Sequence, residues 1–102
     1  MDFDILRYIE ADGTVRLILV GDLDLASRER LRSALRTELL AATAVIVVLD
    51  QLDYLDSAGV AELIASAHHA RHAGRRFAVT PGNGNVRHIL SITGVLKELC
   101  AD

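Results

Sequence analysis

One hydroxyl and three carboxylates share a short stretch of this chain, Asp50-Gln51-Leu52-Asp53-Tyr54-Leu55-Asp56-Ser57-Ala58-Gly59. Ser57 falls where an amphipathic helical pattern begins, and a serine there has two ordinary uses. It can accept hydrogen bonds from the backbone N–H groups left over at a helix start. It can also carry a phosphoryl group, whose charge would face the positive end of the helix dipole. The aspartates bear on the second use, because a phosphate of about −1.5 to −2 charge meets them as like charges. A third use, nucleophilic catalysis, needs a base within hydrogen-bond reach. His68 and His69 lie 11 and 12 positions further along the same predicted helix, about 17–18 Å away at 1.5 Å per residue. They cannot serve Ser57 within one chain. His88 lies on another predicted helix, and spacing does not remove it. No Gly-x-Ser-x-Gly elbow is present.

Other constellations are weaker. His68 and His72 have the i, i+4 spacing that can hold a metal, but His69 stands where a zincin motif has Glu, and no further ligand is evident. A solvated helix face is the expectation, with no metal and no cofactor. Gly82-Asn83-Gly84 resembles half a phosphate loop, yet a third glycine at the required spacing would fall on Arg87. Arg28, Arg30, Arg32 and Arg36 are expected to form the solvated face of their helix. Cys100 is expected to be exposed.

These residues need elements to hold them. Residues 3–10 form a predicted edge strand, Asp12-Gly13 a turn, and 14–21 the partner strand of a hairpin. Leu31, Ala34, Leu35, Leu39 and Ala42 recur at helical spacing within 27–42. Val45-Ile46-Val47-Val48-Leu49 is an apolar, β-branched run inside a predicted strand over 44–50, buried on both faces. Residues 51–56 are expected to be an acidic loop. A second helix runs over 57–73 with Val60, Leu63, Ile64, Ala67 and Ala70 on one stripe, and Gly74 stops it. Residues 77–80 form a short strand. Asn85 caps a third helix with Val86, Ile89, Leu90 and Thr93 inward, Gly94 stops it, and 95–99 is a short last element. Parallel strands joined through helices are right-handed units, and open α/β sheets place their sites beyond strand carboxyl ends. That rule gathers Asp22, Asp24 and the stretch from Asp50 to Ser57 on one edge.

Composition bounds the class. A chain of 102 residues is expected to be one domain spanning 1–102. Its hydrophobic share of 51% and charged share of 25% argue for an ordered globule. Aromatics make up only 4% and the net charge is −3, with a pI near 5.7, so a nucleic-acid partner is not expected. A single cysteine forms no intrachain disulfide, which suits a reducing compartment. The N-terminal Met1-Asp2-Phe3-Asp4 is acidic where a signal peptide is basic, and no apolar run approaches the ~18 residues of a membrane span. A cytoplasmic protein without membrane contact is the expectation.

Gly21-Asp22-Leu23-Asp24, Leu49-Asp50, Leu55-Asp56-Ser57-Ala58-Gly59 and Thr93-Gly94-Val95 together resemble the STAS family of anti-sigma factor antagonists. The likeness covers essentially the whole chain, and its most specific motif is the Asp-Ser-Ser/Ala-Gly turn at a helix start. It implies a small α/β domain, a mixed sheet of four to five strands with helices packed on it. It implies a non-enzymatic switch whose unphosphorylated form binds an anti-sigma factor and so releases the sigma factor. In that family the anti-sigma partner is itself the serine kinase, and a PP2C-type phosphatase reverses the modification. Ser57 matches the phosphoacceptor. Ala58 stands where many members have a second serine, leaving Ser57 as the only acceptor in the turn. The partner-binding set implied is Asp22, Asp24, Asp53, Asp56, Ser57, Ala58 and Gly59, on a monomer or weak dimer.

Three rivals remain at this point. One is a non-switching STAS scaffold or assembly subunit in which Ser57 only caps its helix. Another is a small-ligand sensor, since related modules bind nucleotides or lipids, although no aromatic-rich pocket or phosphate loop supports it. The third is a domain of a transporter, against which the tight start and stop of the pattern argue.

Overall fold

The computed structural model describes residues 2–100, with Glu98 and Cys100 described in backbone only. The expectation for the Cys100 side chain therefore lies outside the described residues. Among the described residues nine elements follow one another: β1 (Phe3–Ile9), β2 (Val15–Leu23), α1 (Arg28–Leu39), β3 (Ala44–Val48), β4 (Leu52–Leu55), α2 (Ser57–His72), β5 (Arg76–Val79), α3 (Gly84–Ile92) and α4 (Leu96–Cys100). The five strands form one mixed sheet in the order β1-β2-β3-β5, with β4 beside β2. β1 runs antiparallel to β2, whereas β3 and β4 each pair parallel with β2, and β5 pairs parallel with β3.

The hairpin forms as its sequence dictates. Asp12 accepts the Thr14 N–H at 2.9 Å, and Gly13 takes a φ of 91°, a conformation side chains resist. β2 is long enough to serve two neighbours. Its first half, Val15 to Ile18, pairs with β3, and its end, Gly21 to Leu23, pairs with β4. The register shifts between Gly21 and Asp22. Glycine is required at that bend: φ is 96°, and a Cβ there would lie 2.1 Å from the Asp2 carbonyl oxygen.

Alternation in β2 sorts the sheet into two faces. Val15, Leu17, Leu19 and Leu23 are buried, with Val45, Val47, Phe77 and Val79 beside them. Leu31, Leu35 and Leu39 of α1, Leu63, Ala67 and Ala70 of α2, and Val86 and Leu90 of α3 complete the same core. Each leucine fully withdrawn from water contributes roughly 1.5–3 kcal/mol, which is what drives the helices onto this face. On the opposite face Ile18, Val20, Ile46 and Val48 are only half-buried, and Leu6 and Tyr8 are exposed.

Several expectations are corrected. β3 is covered well on one face only, so its continuous apolar run does not mean burial on both. The expected acidic loop contains a strand, β4, because Leu52 and Leu55 bury while Asp53 and Tyr54 face out. The cap of α3 is Asn83, not Asn85. Its side chain makes no capping bond and donates instead to the Asp50 carbonyl at 3.0 Å. The last element is a short helix. The arginines of α1 are not simply a solvated face. Arg28 and Arg32 close on Glu62, and Arg30 donates to the Phe3 carbonyl at 2.6 Å while lying 5.3 Å from the Phe3 ring centre. Among the described residues no helix is long and apolar enough to cross a membrane, and no group of three or more His, Cys, Asp and Glu side chains could hold a metal ion.

Candidate functional site

Pairing of β4 with the end of β2 builds the site. Asp22 lies opposite Tyr54 and Leu23 opposite Leu55, and the Asp56 N–H donates to the Leu23 carbonyl at 3.3 Å. The acidic segment at 22–24 and the start of α2 are thus adjacent in the sheet. Asp56 leaves that ladder in an extended conformation, φ −110° and ψ −176°, and its Oδ1 accepts the Gly59 N–H at 2.9 Å. Asp56 is therefore the cap of α2, and Ser57 is the first helical residue. The use of Ser57 as a capping group is overturned, for a geometric reason: the ladder bond at Asp56 sets the extended backbone that a capping residue needs. The Ser57 side chain is exposed, and among the described residues no hydrogen bond engages its hydroxyl.

Gly59 is what lets the helix start sit so close to the sheet. A Cβ on it would lie 2.7 Å from both the Leu23 carbonyl oxygen and Leu55 Cδ1. Gly59 is accordingly buried and offers a partner no surface of its own, while Ala58 is half-buried. Asp53 is exposed on β4, and Asp22 is half-buried on β2. Asp24 is mainly an organiser of its own turn. Its Oδ1 accepts the Ala26 and Ser27 N–H groups at 3.0 and 3.1 Å, and the Ser27 hydroxyl reaches the Asp22 carbonyl at 2.8 Å. The crowding of three carboxylates expected around Ser57 is partly dispersed. Asp50 turns away and accepts the Thr80 hydroxyl at 2.7 Å, tying the end of β3 to the end of β5.

Two features escaped the sequence reading. One is a shallow groove of about 450 Å³ between α2 and α3, in which Ser57 and Asp56 meet Tyr54, Val60, Ile64 and Ile89. Tyr54 keeps 44% of its surface exposed despite its size. The other is Glu62, whose side chain is 1% exposed between α1 and α2. Arg32 grips one of its oxygens with Nη2 at 2.9 Å and Nε at 3.1 Å, Arg28 approaches to 3.9 Å, and the Ser66 hydroxyl donates to the other oxygen at 3.1 Å. The carboxylate raises the Arg32 guanidinium above its ordinary value, first through the hydrogen bond and then through its charge, with Glu29 adding to it. A carboxylate this buried persists only when its lone pairs are filled. Its effect is to bolt α1 to α2 five residues beyond Ser57.

A family model described as "Mlab, STAS domain" matches residues 6–100, nearly the whole chain. The chain belongs to the STAS family. No curated protein matches it. Among solved structures, this STAS domain is similar to the anti-sigma factor antagonist SpoIIAA in its unphosphorylated form. The TM-score is 0.79 at 23% identity, covering 97% of this chain and 87% of that one. It is also similar to an anti-sigma factor antagonist from Mycobacterium paratuberculosis, with a TM-score of 0.83 at 20% identity, covering 98% and 84%. The Bacillus cell-fate determinant SpoIIAA in its phosphorylated form gives 0.69 at 24% identity, covering 97% and 90%. At these identities the likenesses establish the fold. The chemistry of the STAS edge in this chain rests on its own geometry: an exposed hydroxyl at a helix N-terminus, acids beside it, and an apolar groove alongside.

Proposed function

We propose that this STAS domain is an anti-sigma factor antagonist, switched by phosphorylation of Ser57. The observation that carries the reading is the division of labour at the start of α2. Asp56 fills the capping role, so the Ser57 hydroxyl is exposed and has no structural duty among the described residues. That also weakens the rival of a scaffold in which the serine merely caps. In the unphosphorylated state the partner, an anti-sigma factor with serine kinase activity, docks on the edge made by Asp22, Asp53, Asp56 and Ser57 and by the groove beside them. Phosphorylation by that kinase places a dianion in the contact, and a PP2C-type phosphatase removes it. The protein itself catalyses nothing and works in the cytoplasm, where sigma factors act.

Magnitudes favour a switch of binding rather than of folding. The helix terminus stabilises an added negative charge by about 0.3–1 kcal/mol, and Asp56 opposes it. Those local terms largely offset. A loss of two to three orders of magnitude in affinity needs only about 3–4 kcal/mol, which a desolvated like-charge contact readily supplies.

The test is incubation with the serine-kinase anti-sigma factors of the same genome and ATP, followed by mass spectrometry. One phosphate on Ser57, lost in Ser57→Ala, is the expected result. Ser27 and Ser66 are 6% and 2% exposed, which disfavours them as acceptors. Phosphate found on Ser27, Ser66 or Ser91 instead would overturn the assignment.

A further inference from the structure

We propose that the cavity at the far end of the sheet from Ser57 binds a small phosphorylated solute through Arg75 and Arg76. The cavity measures about 380 Å³ and lies beside the β1–β2 turn and the starts of β3 and β5. That is within the roughly 300–1,000 Å³ of ordinary small-molecule sites. Its apolar wall is Ile46, Phe77 and Ala78, and its polar rim is Asp12, Thr14 and the arginines at 71, 75 and 76.

Helix chemistry accounts for part of this basic cluster and leaves the rest unexplained. Cations suit helix C-termini, and Arg71 sits in the last turn of α2 with an interaction of its own. Arg75 Nη2 donates to the Leu40 carbonyl at 3.3 Å at the end of α1. Arg75 Nε, however, is buried with no hydrogen-bond partner, and it is the sole such side-chain atom among the described residues. A buried donor of this kind is costly and uncommon. Arg76, exposed at the start of β5, has no side-chain hydrogen bond or ion pair among the described residues. Nearby acids answer these donors only in part. The bonds from Thr14 and, after them, the charge of Arg76 hold the Asp12 carboxyl below its ordinary value, but no hydrogen bond joins the Asp12 and Arg76 side chains among the described residues. Glu10 is ion-paired with Arg16, and Asp12 accepts the Thr14 N–H.

The unspent capacity is that of two guanidinium groups from adjacent residues facing one cavity. A single fork saturates the two oxygens of a carboxylate, whereas a phosphoryl group offers three oxygens and fits two forks. The solute's phosphate then meets the Arg76 guanidinium, and a turn of the Arg75 side chain brings its buried Nε–H to the same phosphate, while the body of the solute lies on Ile46 and Ala78. A cavity of about 380 Å³ holds a phosphoryl group with a small body, whereas an extended polyanion or a membrane surface stays outside it, which disfavours a nucleic acid or an anionic membrane as the ligand.

Titration with inorganic pyrophosphate at constant ionic strength, followed by NMR of arginine Nε–H and backbone amide signals, tests this. The expected result is a saturable shift largest at Arg75 Nε–H and at the amides of Thr14 and Arg76. Arg76→Gln should weaken it at least about tenfold, the effect of losing one bidentate contact, and malonate should bind more weakly by a similar factor. Arg75→Lys keeps the charge and removes the Nε donor, and should weaken binding comparably if Arg76→Gln folds poorly. Absence of a saturable shift overturns the proposal, as do equal shifts at Arg36 and Arg87. Vesicles containing phosphatidic acid form the second arm. Binding to them that depends on Arg76, without any response to soluble pyrophosphate, overturns the small-solute assignment. Ser57→Asp should leave pyrophosphate binding unchanged.

Discussion

Asp56 and Ser57 divide two tasks that many helix starts give to one residue. Asp56 holds the Gly59 N–H, so Asp56→Ala should cost about 1 kcal/mol, the usual value of a lost cap, and lower the melting temperature by several degrees. Ser57→Asp has no cap to disturb. A carboxylate at the first helical position favours the dipole, so stability should change by less than about 1 kcal/mol. Its affinity for the partner should fall, because the new charge sits beside Asp56 and must be desolvated. The fall should be smaller than phosphorylation gives, since one charge replaces nearly two. Thermal melting and calorimetric titration of the same mutant separate the two effects. A folded mutant with unchanged affinity would sink the electrostatic switch. Both residues are good capping types, so sequence alone left open which of them caps. The choice is made by the bond from Asp56 N–H to the Leu23 carbonyl, a contact thirty-three positions apart.

Between elements, the decisive contacts are one close approach and one buried ion pair. Gly59→Ala would place a methyl group 2.7 Å from backbone and side chain of neighbouring strands. Overpacking of that kind costs about 1–3 kcal/mol, and the better helix propensity of alanine recovers only about 1. A net loss visible in chemical denaturation is expected. For the ion pair the two halves should differ. Arg32→Ala strands a carboxylate that is 1% exposed and should cost about 3–5 kcal/mol. Glu62→Gln leaves an arginine that can turn to water and should cost less, as paired urea titrations would show. This bolt was not legible in the sequence. Glu62 stands beside the apolar stripe of α2, in line with Gly59 and Ser66, and only the way α1 faces α2 brings Arg32 to it. The hairpin, the parallel strands and the helices were legible, because each writes its period locally. β4 was not. Its four residues look like a loop, and their strand character comes from pairing with the distant end of β2. The apolar groove was missed for the same reason, since α2 and α3 contribute Val60, Ile64 and Ile89 from separate stripes.

At the scale of the molecule, α2 joins two ends with different chemistry. Its 16 residues span about 24 Å, from the acidic edge with its exposed hydroxyl to the basic cavity at the other pole. The sheet face that the helices leave uncovered runs between them on the opposite side. The way Ser57 is presented sets a demand on whatever enzyme modifies it. The hydroxyl belongs to a formed helix turn, anchored by a ladder bond before it and by a close-packed glycine two residues after it. An extended strand threaded through a kinase cleft is not what this surface offers. Under the proposed switch, the kinase must read a finished three-dimensional shape, and a linear consensus around the serine carries little of the recognition. A synthetic peptide covering residues 50–64 has too few residues to hold a helix alone in water, so it should be phosphorylated at least about tenfold more slowly than the intact domain. Equal rates for the peptide and the domain would show that the enzyme recognises the string of residues and not the fold that displays it. If the fold is what is read, unfolded or nascent chains escape modification, and the pool of phosphorylated protein reports only on molecules that have finished folding.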